Sequence, residues 1–566
     1  MPIPCIALSL LVLSSPQTAG GGYVTRDAFV GQTDYEGYGS ALALLGDVDG
    51  DGVADFAVGA PTREVAGMAG AGAVEIRSGA DGALIRTVTG DQPDLVLGKS
   101  LAALGDVDGD GVPDFASGVG RWGQPPRVDV RSGADGSRLL LFAPQSNSQD
   151  FGDALAGPGD VDGDGVPDVA VGDPSFPDPF GGAYGGRVTL HSGATGLVLW
   201  ETSGVAGDHF GSSMAAVPDV DGDGVGDLLV GAIWAEPSGV GAWEGRADLV
   251  SGSTGAVLHS YAPGVANAWF GAAVCALGDV DGDGIADHAV SGTFASPPGL
   301  DEAGMVWVFS GASHTLLWTA SGDFDFSDFG FALADAGDVD GDGLSDLLVG
   351  APGRPTSGNF GGQAHLFSGA DGGRLWNLVG PGWGSRFGAS LLGLGDGDGD
   401  GWPEVVVGAP EAFGPPAADP GVVHWREFQP LLTGTGTDLS ASLGGTAVLA
   451  IDFPSDWLEM PNSQSYRLLL SATGTGPTVL MDVLVPLTPD GFYADSLAGV
   501  HPSAFQNPQG PLDANGDATA TVVLPAGSPS VWVGRSLWVA AAVLERVPWA
   551  DHFIGVSRPV RLVVVP

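Results

Sequence analysis

Basic residues are scarce in this chain: 20 lysines and arginines stand against 68 aspartates and glutamates over 566 residues, a formal net charge of −48. So acidic a surface repels phosphate backbones and anionic lipid heads, which argues against nucleic acid and membrane surfaces as partners. Cysteine is nearly absent, with Cys5 and Cys275 the full complement. Residues 1–20 read as a signal peptide, with an apolar run from Ile6 to Leu13 and a cleavage point near Ala19, although no Lys or Arg precedes the run. Cys5 lies ahead of that run, where a lipoprotein cysteine would not sit. Removal of the leader leaves one thiol and no intramolecular disulfide, so a secreted, extracellular or cell-surface fold needs another staple, and metal ions are the candidate. Beyond the leader no uninterrupted apolar run reaches about eighteen residues, which excludes a spanning helix of the ordinary kind.

What the chain does have is glycine, 96 residues, and proline, 41, with hydrophobic residues still at 44 %. That mixture predicts short apolar strands cut by turns, an all-β protein. Gly-Asp-Val-Asp-Gly-Asp-Gly or a near variant recurs with first aspartates at Asp47, Asp106, Asp160, Asp219, Asp279, Asp338 and Asp396. Nine residues ahead of each stands Tyr38, Leu97, Phe151, Phe210, Phe270, Phe329 or Phe387, followed by glycine. Each repeat reads as four strands, in the first Ser40 to Val48, Asp55 to Ala60, Ala73 to Arg77 and Ala83 to Val88, with a Ser-Gly turn between the last two at Ser78. That turn returns at Ser132, Ser192, Ser251, Ser310 and Ser368. Four-stranded units too small to bury their own apolar faces stack radially, which predicts a seven-bladed β-propeller over residues 21–430. The seventh repeat lacks a fourth strand, and Tyr23 to Val30 is placed to supply it and close the ring. Residues 431–566 break the pattern, and their alternating stretches predict a smaller β-sandwich-like domain.

Carboxylates at positions 1, 3, 5 and 9 of a tight loop, with glycine at 6 and a main-chain carbonyl at 7, gather hard oxygen donors around one point. The first loop offers Asp47, Asp49, Asp51, Val53 and Asp55, the second Asp106, Asp108, Asp110, Val112 and Asp114. The third offers Asp160, Asp162, Asp164, Val166 and Asp168, the fourth Asp219, Asp221, Asp223, Val225 and Asp227. The fifth has Asp279, Asp281, Asp283, Ile285 and Asp287, the sixth Asp338, Asp340, Asp342, Leu344 and Asp346. The seventh has Asp396, Asp398, Asp400, Trp402 and Glu404, with a longer side chain at position 9. All-oxygen donors without Cys or His speak against zinc and copper and for Ca2+, up to seven ions, one per blade. A single Asp-Gly pair is as well explained as a hairpin turn; seven four-carboxylate copies are not. The bidentate Glu of an EF-hand is missing, since Val58, Val171 and Val349 stand at position 12.

The Phe-Gly element, the aspartate loop and the Gly-Ala-Pro tripeptides at Gly59, Gly350 and Gly408 together resemble FG-GAP repeats, which build the seven-bladed head of integrin α chains and many secreted bacterial proteins. Leu97 departs from the pattern, as do Gly118-Val119, Gly231-Ala232-Ile233 and Gly292-Thr293 where Gly-Ala-Pro is expected. The resemblance implies an extracellular binding or adhesion protein that meets a protein or glycan on the face opposite the calcium loops. On that face Arg63, Trp122, Phe176, Tyr184, Trp234, Trp243, Phe294, Arg354 and Phe413 are candidate contact residues, and loop packing is the equal alternative for the aromatics. Trp200, Trp318 and Trp376 recur in fourth strands and read as packing residues. Asp438, Ser440 and Ser442 spell an integrin-type adhesion-site motif, but in an all-β setting that reads as a loop; Asp513, Asn515 and Asp517 read as a hairpin turn. No nucleophile, base or open metal position stands out, and His288, beside Asp287, is a weak catalytic candidate, so the chain reads as non-enzymatic. Two other roles stay open: a propeller accessory to a secreted hydrolase, and a structural component of a cell-envelope matrix.

Overall fold

The computed structural model describes residues 21–433, apart from 34, 121–124, 145–147, 178–183, 240–241, 354–360, 381–383, 398–402, 411–420 and 431, together with the strands of the tail; side chains are described between 28 and 426. The expected signal peptide lies outside the described residues. Every regular element among the described residues is a strand. The fold is a seven-bladed β-propeller, each blade four antiparallel strands, paired in sequence order in blades 1 to 6.

Blade 1 consists of Leu42–Gly46, Asp55–Ala60, Ala73–Arg77 and Leu84–Thr89. Blade 4 is Phe210–Val217, Asp227–Ala232, Arg246–Val250 and Val257–Tyr261, and blade 5 is His288–Gly292, Met305–Phe309 and Leu316–Ser321 behind an inner strand Phe270–Ala276. Blades 2, 3 and 6 repeat the plan from Ser100 to Phe142, Leu155 to Ser203 and Leu333 to Val379. The second strands are sandwiched between neighbouring blades, so all six residues of Asp55–Ala60 are buried. A strand covered on both faces shows a continuous apolar run, and Phe56-Ala57-Val58 has that character. At the rim, Leu84–Thr89 buries Val88 alone. Inner strands touch in order around the ring, and Ser390–Gly395 of blade 7 comes back to Leu42–Gly46.

One contact between blades accounts for much of the repeated glycine. A methyl on Gly59 would stand 2.2 Å from the carbonyl oxygen of Gly98, and the corresponding distances are 2.2 Å for Gly118 and Gly152, 2.1 Å for Gly231 and Gly271, and 2.0 Å for Gly350 and Gly388. The second-strand glycine of one blade and the aromatic-glycine element of the next are therefore two halves of one close approach. Gly408 makes it to Gly39, at 2.4 Å, across the end of the ring. In blade 5 the place belongs to Ser291, whose Cβ lies 2.6 Å from where a methyl on Gly330 would be. Gly292-Thr293 is thus one position beyond the expected counterpart of Gly-Ala-Pro.

Blade 7 has Ser390–Gly395, Glu404–Ala409 and Val422–Pro430 from its own repeat, and its fourth strand is Gly21–Val30. That strand runs antiparallel with Val30 opposite Val422 and Gly21 opposite Pro430, slipping register between Thr25 and Asp27. Phe29, Phe56 and Trp425 meet at the seam with ring centroids 6.2 to 6.4 Å apart. Ser390 Oγ donates to the Gly39 carbonyl at 2.7 Å. At the rim, Trp200 Nε1 donates to the Gly252 carbonyl at 2.6 Å and Trp318 Nε1 to the Gly369 carbonyl at 2.7 Å, each reaching into the next blade.

In the tail, Leu432–Thr433, Gly445–Ile451, Ala518–Leu524 and Phe505–Gln506 form one antiparallel sheet. Val479–Pro486, Gln464–Thr473 and Ser536–Val547 pair in that order in another, and Ala550–Val556 and Val560–Val563 both pair with Ser536–Val547. Asp438, Ser440, Ser442, Asp513, Asn515 and Asp517 lie outside the described residues.

Candidate cation loops and the face opposite

Each aspartate loop links the first and second strands of its blade, and the first six are held by their own amides. Asp47 Oδ1 accepts from Gly50 N at 2.6 Å and Asp51 N at 3.1 Å, and its Oδ2 accepts from Gly52 N at 2.9 Å. Gly52 takes φ +92°, which a side chain would resist. Asp55 begins the second strand and is completely buried. Its Oδ2 accepts from Val48 N at 2.7 Å, and its Oδ1 from Gly79 N at 3.0 Å in the Ser-Gly turn between strands three and four. A methyl on Gly79 would stand 1.9 Å from the Ala54 carbonyl oxygen, so the turn is pressed onto the loop. The amide bond to the position-9 carboxylate repeats at Gly133 and Asp114, Gly193 and Asp168, Gly252 and Asp227, Gly311 and Asp287, and Gly369 and Asp346, at 2.8 to 3.0 Å. The sequence did not reveal this partner, because the amide lies 24 residues downstream in blade 1.

Carboxylate oxygens at positions 1, 3 and 9 converge: those of Asp47, Asp49 and Asp55 lie within 4.8 Å of one another. The same holds for Asp106, Asp108 and Asp114; Asp160, Asp162 and Asp168; Asp219, Asp221 and Asp227; and Asp279, Asp281 and Asp287. The position-5 aspartate stands outside these trios, and Asp51 Oδ1 accepts from Val53 N at 2.8 Å. The sixth loop keeps the same amide pattern, with Asp338 accepting from Gly341 and Gly343, and Asp346 from Val339. In the seventh, Glu404 is buried and accepts from Gly397 N at 2.7 Å; Asp398, Asp400 and Trp402 lie outside the described residues.

Burial raises the carboxyls of Asp55, Asp114, Asp168, Asp227 and Asp287 above the usual range, with the amide bonds pulling the other way. Asp346 is pushed by burial up to about 8. A buried carboxylate beside two others is electrostatically unfavourable until a cation joins it, and the donor set is all oxygen, which fits a hard divalent ion.

The opposite face carries the loops between second and third strands and the links between blades. Here Tyr184, His209, Trp234, Trp269 and Phe294 form an unbroken chain of rings across blades 3 to 5, with centroid separations of 5.7, 3.9, 6.2 and 4.2 Å. Tyr184 is 54 % exposed and Trp234 37 %. His209 and Trp269 were not singled out in the sequence, although each directly precedes a Phe-Gly pair. Trp243 is exposed outside the chain of rings, and Phe176 lies under the Arg187 guanidinium, 3.8 Å from its ring centroid. Arg63 is not a surface contact: it is buried between Glu36 and Glu75, 2.8 Å from each, because two buried carboxylates require a counter-charge. Burial works to raise the Glu75 carboxyl, but Arg63 and Arg77 overcome it and hold it below its ordinary value. Trp122, Arg354 and Phe413 lie outside the described residues.

The family model described as "FG-GAP repeat" matches residues 38–74, 210–239, 270–309 and 330–367. Among curated proteins, integrin alpha-PS2 of Drosophila melanogaster is 34 % identical over 34 % of this chain and 14 % of its own length. Human integrin alpha-IIb is 38 % identical over 26 % of this chain and 15 % of its own, and chicken (Gallus gallus) integrin alpha-V is 29 % identical over 47 % and 21 %. The matched stretches thus span about a fifth or less of those relatives, as 14, 15 and 21 % show.

Proposed function

From a propeller of FG-GAP repeats like those of integrin α chains, we propose an extracellular or cell-surface binding and adhesion module, non-catalytic, loaded with Ca2+ at one face and meeting a protein or glycan at the other. In each loop the carboxylates at positions 1, 3, 5 and 9 and the carbonyl at position 7 are the proposed ligands, Asp47, Asp49, Asp51, Val53 and Asp55 in blade 1 and their counterparts around the ring, with Glu404 closing the seventh. Calcium there acts as a staple, fixing the first-to-second-strand loop and, through the position-9 aspartate, the Ser-Gly turn. The residues from 431 onward form a sandwich-like domain that attaches or spaces the propeller.

The observation that carries the binding face is the continuous, partly exposed aromatic chain from Tyr184 to Phe294, on the side away from the carboxylate loops. Tyr and Trp rings are enriched at interaction surfaces, where an apolar body and a polar edge are both used. The test is capture of cell-surface proteins and arrayed glycans by the calcium-loaded chain and by a Tyr184→Ala/Trp234→Ala variant. Ligands lost in the variant, while calcium-dependent melting is kept, support the reading. Equal capture by both, or none by either, refutes it.

A further inference from the structure

At the outer junctions that lead into blades 1, 2, 3, 4 and 6, the contact between blades follows one recipe. A fourth-strand side chain lies on the glycine that ends the next blade's Ser-Gly turn: a methyl on Gly255 would stand 2.7 Å from the Trp200 indole, and one on Gly372 2.8 Å from that of Trp318. The junction between blades 4 and 5 departs from it on both sides. His259, opposite Leu249, holds the place of Trp200, opposite Leu190, and of Trp318, opposite Val308. His314 holds the place of the glycine, and it keeps φ +58° where Gly82, Gly136, Gly196, Gly255 and Gly372 lie between +70° and +77°. That conformation is costly for any side chain, and strain of this kind collects where function holds it. A third departure is His288, at a position that is Phe56, Phe115, Val169, Leu228, Leu347 or Val405 in the other blades.

These three departures meet at one point. The imidazoles of His259 and His314 stack with centroids 4.4 Å apart and planes 16° from parallel. The Tyr261 hydroxyl bonds His314 Nδ1 at 3.0 Å and also His288 Nε2. His288 is completely buried, and its Nδ1 has no hydrogen-bond partner. A tyrosine has one proton for two imidazole nitrogens, so it donates to one and accepts from the other. At the other junctions that carry the turn glycine, packing is served by Val, Phe and Trp side chains over glycine, with no side chain held in that left-handed conformation.

We propose that the junction of blades 4 and 5 is a second class of metal site, for a borderline divalent ion such as Zn2+, taken by the imidazoles of His259, His288 and His314 with the Tyr261 oxygen beside them. Imidazole and phenolate suit zinc and copper, whereas calcium prefers carboxylates and carbonyls, so the two classes of site select different ions. His259 and His314 are partly exposed and form the entrance; to share an ion, their stacked rings turn so that their nitrogens converge. Its ligands come from both blades, and an ion here ties one to the other.

The test is zinc titration of the full chain, without a histidine tag, in saturating calcium, read by calorimetry and by the thermal midpoint. About one zinc ion should bind and raise the midpoint. His259→Trp with His314→Gly installs the pairing of Trp200 and Gly255, and should keep the calcium-dependent midpoint while abolishing the zinc response. His288→Leu, matching Leu228 and Leu347, should weaken zinc binding about tenfold or more. No zinc uptake by the unaltered chain, or equal uptake by the Trp/Gly double variant, overturns the proposal.

Discussion

In blades 1 to 6 the turn glycine beneath the aspartate loop carries two duties, since its amide bonds the buried position-9 carboxylate and its lack of a side chain lets the loop backbone pass. With 1.9 Å between a Gly79 methyl and the Ala54 carbonyl, Gly79→Ala should cost about 1–3 kcal/mol in chemical denaturation and lower the calcium dependence of blade 1. Arg63→Ala leaves Glu36 and Glu75 buried without that counter-charge, and urea melts should show a loss of about 3–5 kcal/mol. The aspartates were legible because seven copies share one spacing, and the same count exposed the glycine at position 6. Arg63 was misread because a loop position in sequence says nothing of Glu36 and Glu75, which lie 27 and 12 residues away and meet it only in the folded blade. The His259, His288 and His314 cluster was equally hidden: each histidine departs from the repeat in a different strand or turn, and their meeting depends on which blade edges adjoin.

At the scale of strands, the propeller could be read almost entirely from turn signals and alternation, including the replacement of blade 7's outer strand by residues near the start of the chain. Gly292 was matched one residue too far along because the counterpart of Gly59 in blade 5 is Ser291, which holds the usual spacing from Asp279, and residue identity drew the match to the neighbouring glycine. In the tail, Ser536–Val547 is a strand although its Ala-Ala-Ala-Val-Leu-Glu run has helix-forming residues, because pairing with Gln464–Thr473 overrides that tendency. The rim tryptophans act as cross-blade latches. Trp200→Phe keeps a ring over Gly255 but removes the bond to the Gly252 carbonyl, and the thermal midpoint should drop by an amount equivalent to about 0.5–1.5 kcal/mol.

For the whole molecule, the charge of −48 and the buried carboxylates make cations part of the stability. With calcium about ten times above its dissociation constant, each filled loop adds on the order of 1.4 kcal/mol, so chelation should lower the melting midpoint steeply and magnesium should restore little of it. The pH response should differ with loading. Asp346 is raised by burial to about 8, far above an unfolded aspartate, so the chelated protein has this contribution in full at low pH and loses it as pH rises through about 8. Melts of chelated protein from pH 6 to 9 should therefore show a falling midpoint, flattened when calcium holds the carboxylate ionised. The ring also sets an order of assembly. Since Gly21–Val30 pairs with Val422–Pro430, this strand of the ring is made before the other six blades and has no partner until the last blade has been made. Six blades can form one after another during synthesis while that strand waits, and a chain broken off anywhere before Val422 keeps an unsatisfied edge at the seam. Completion of the circle thus reports that the propeller is whole, a length check built into the topology.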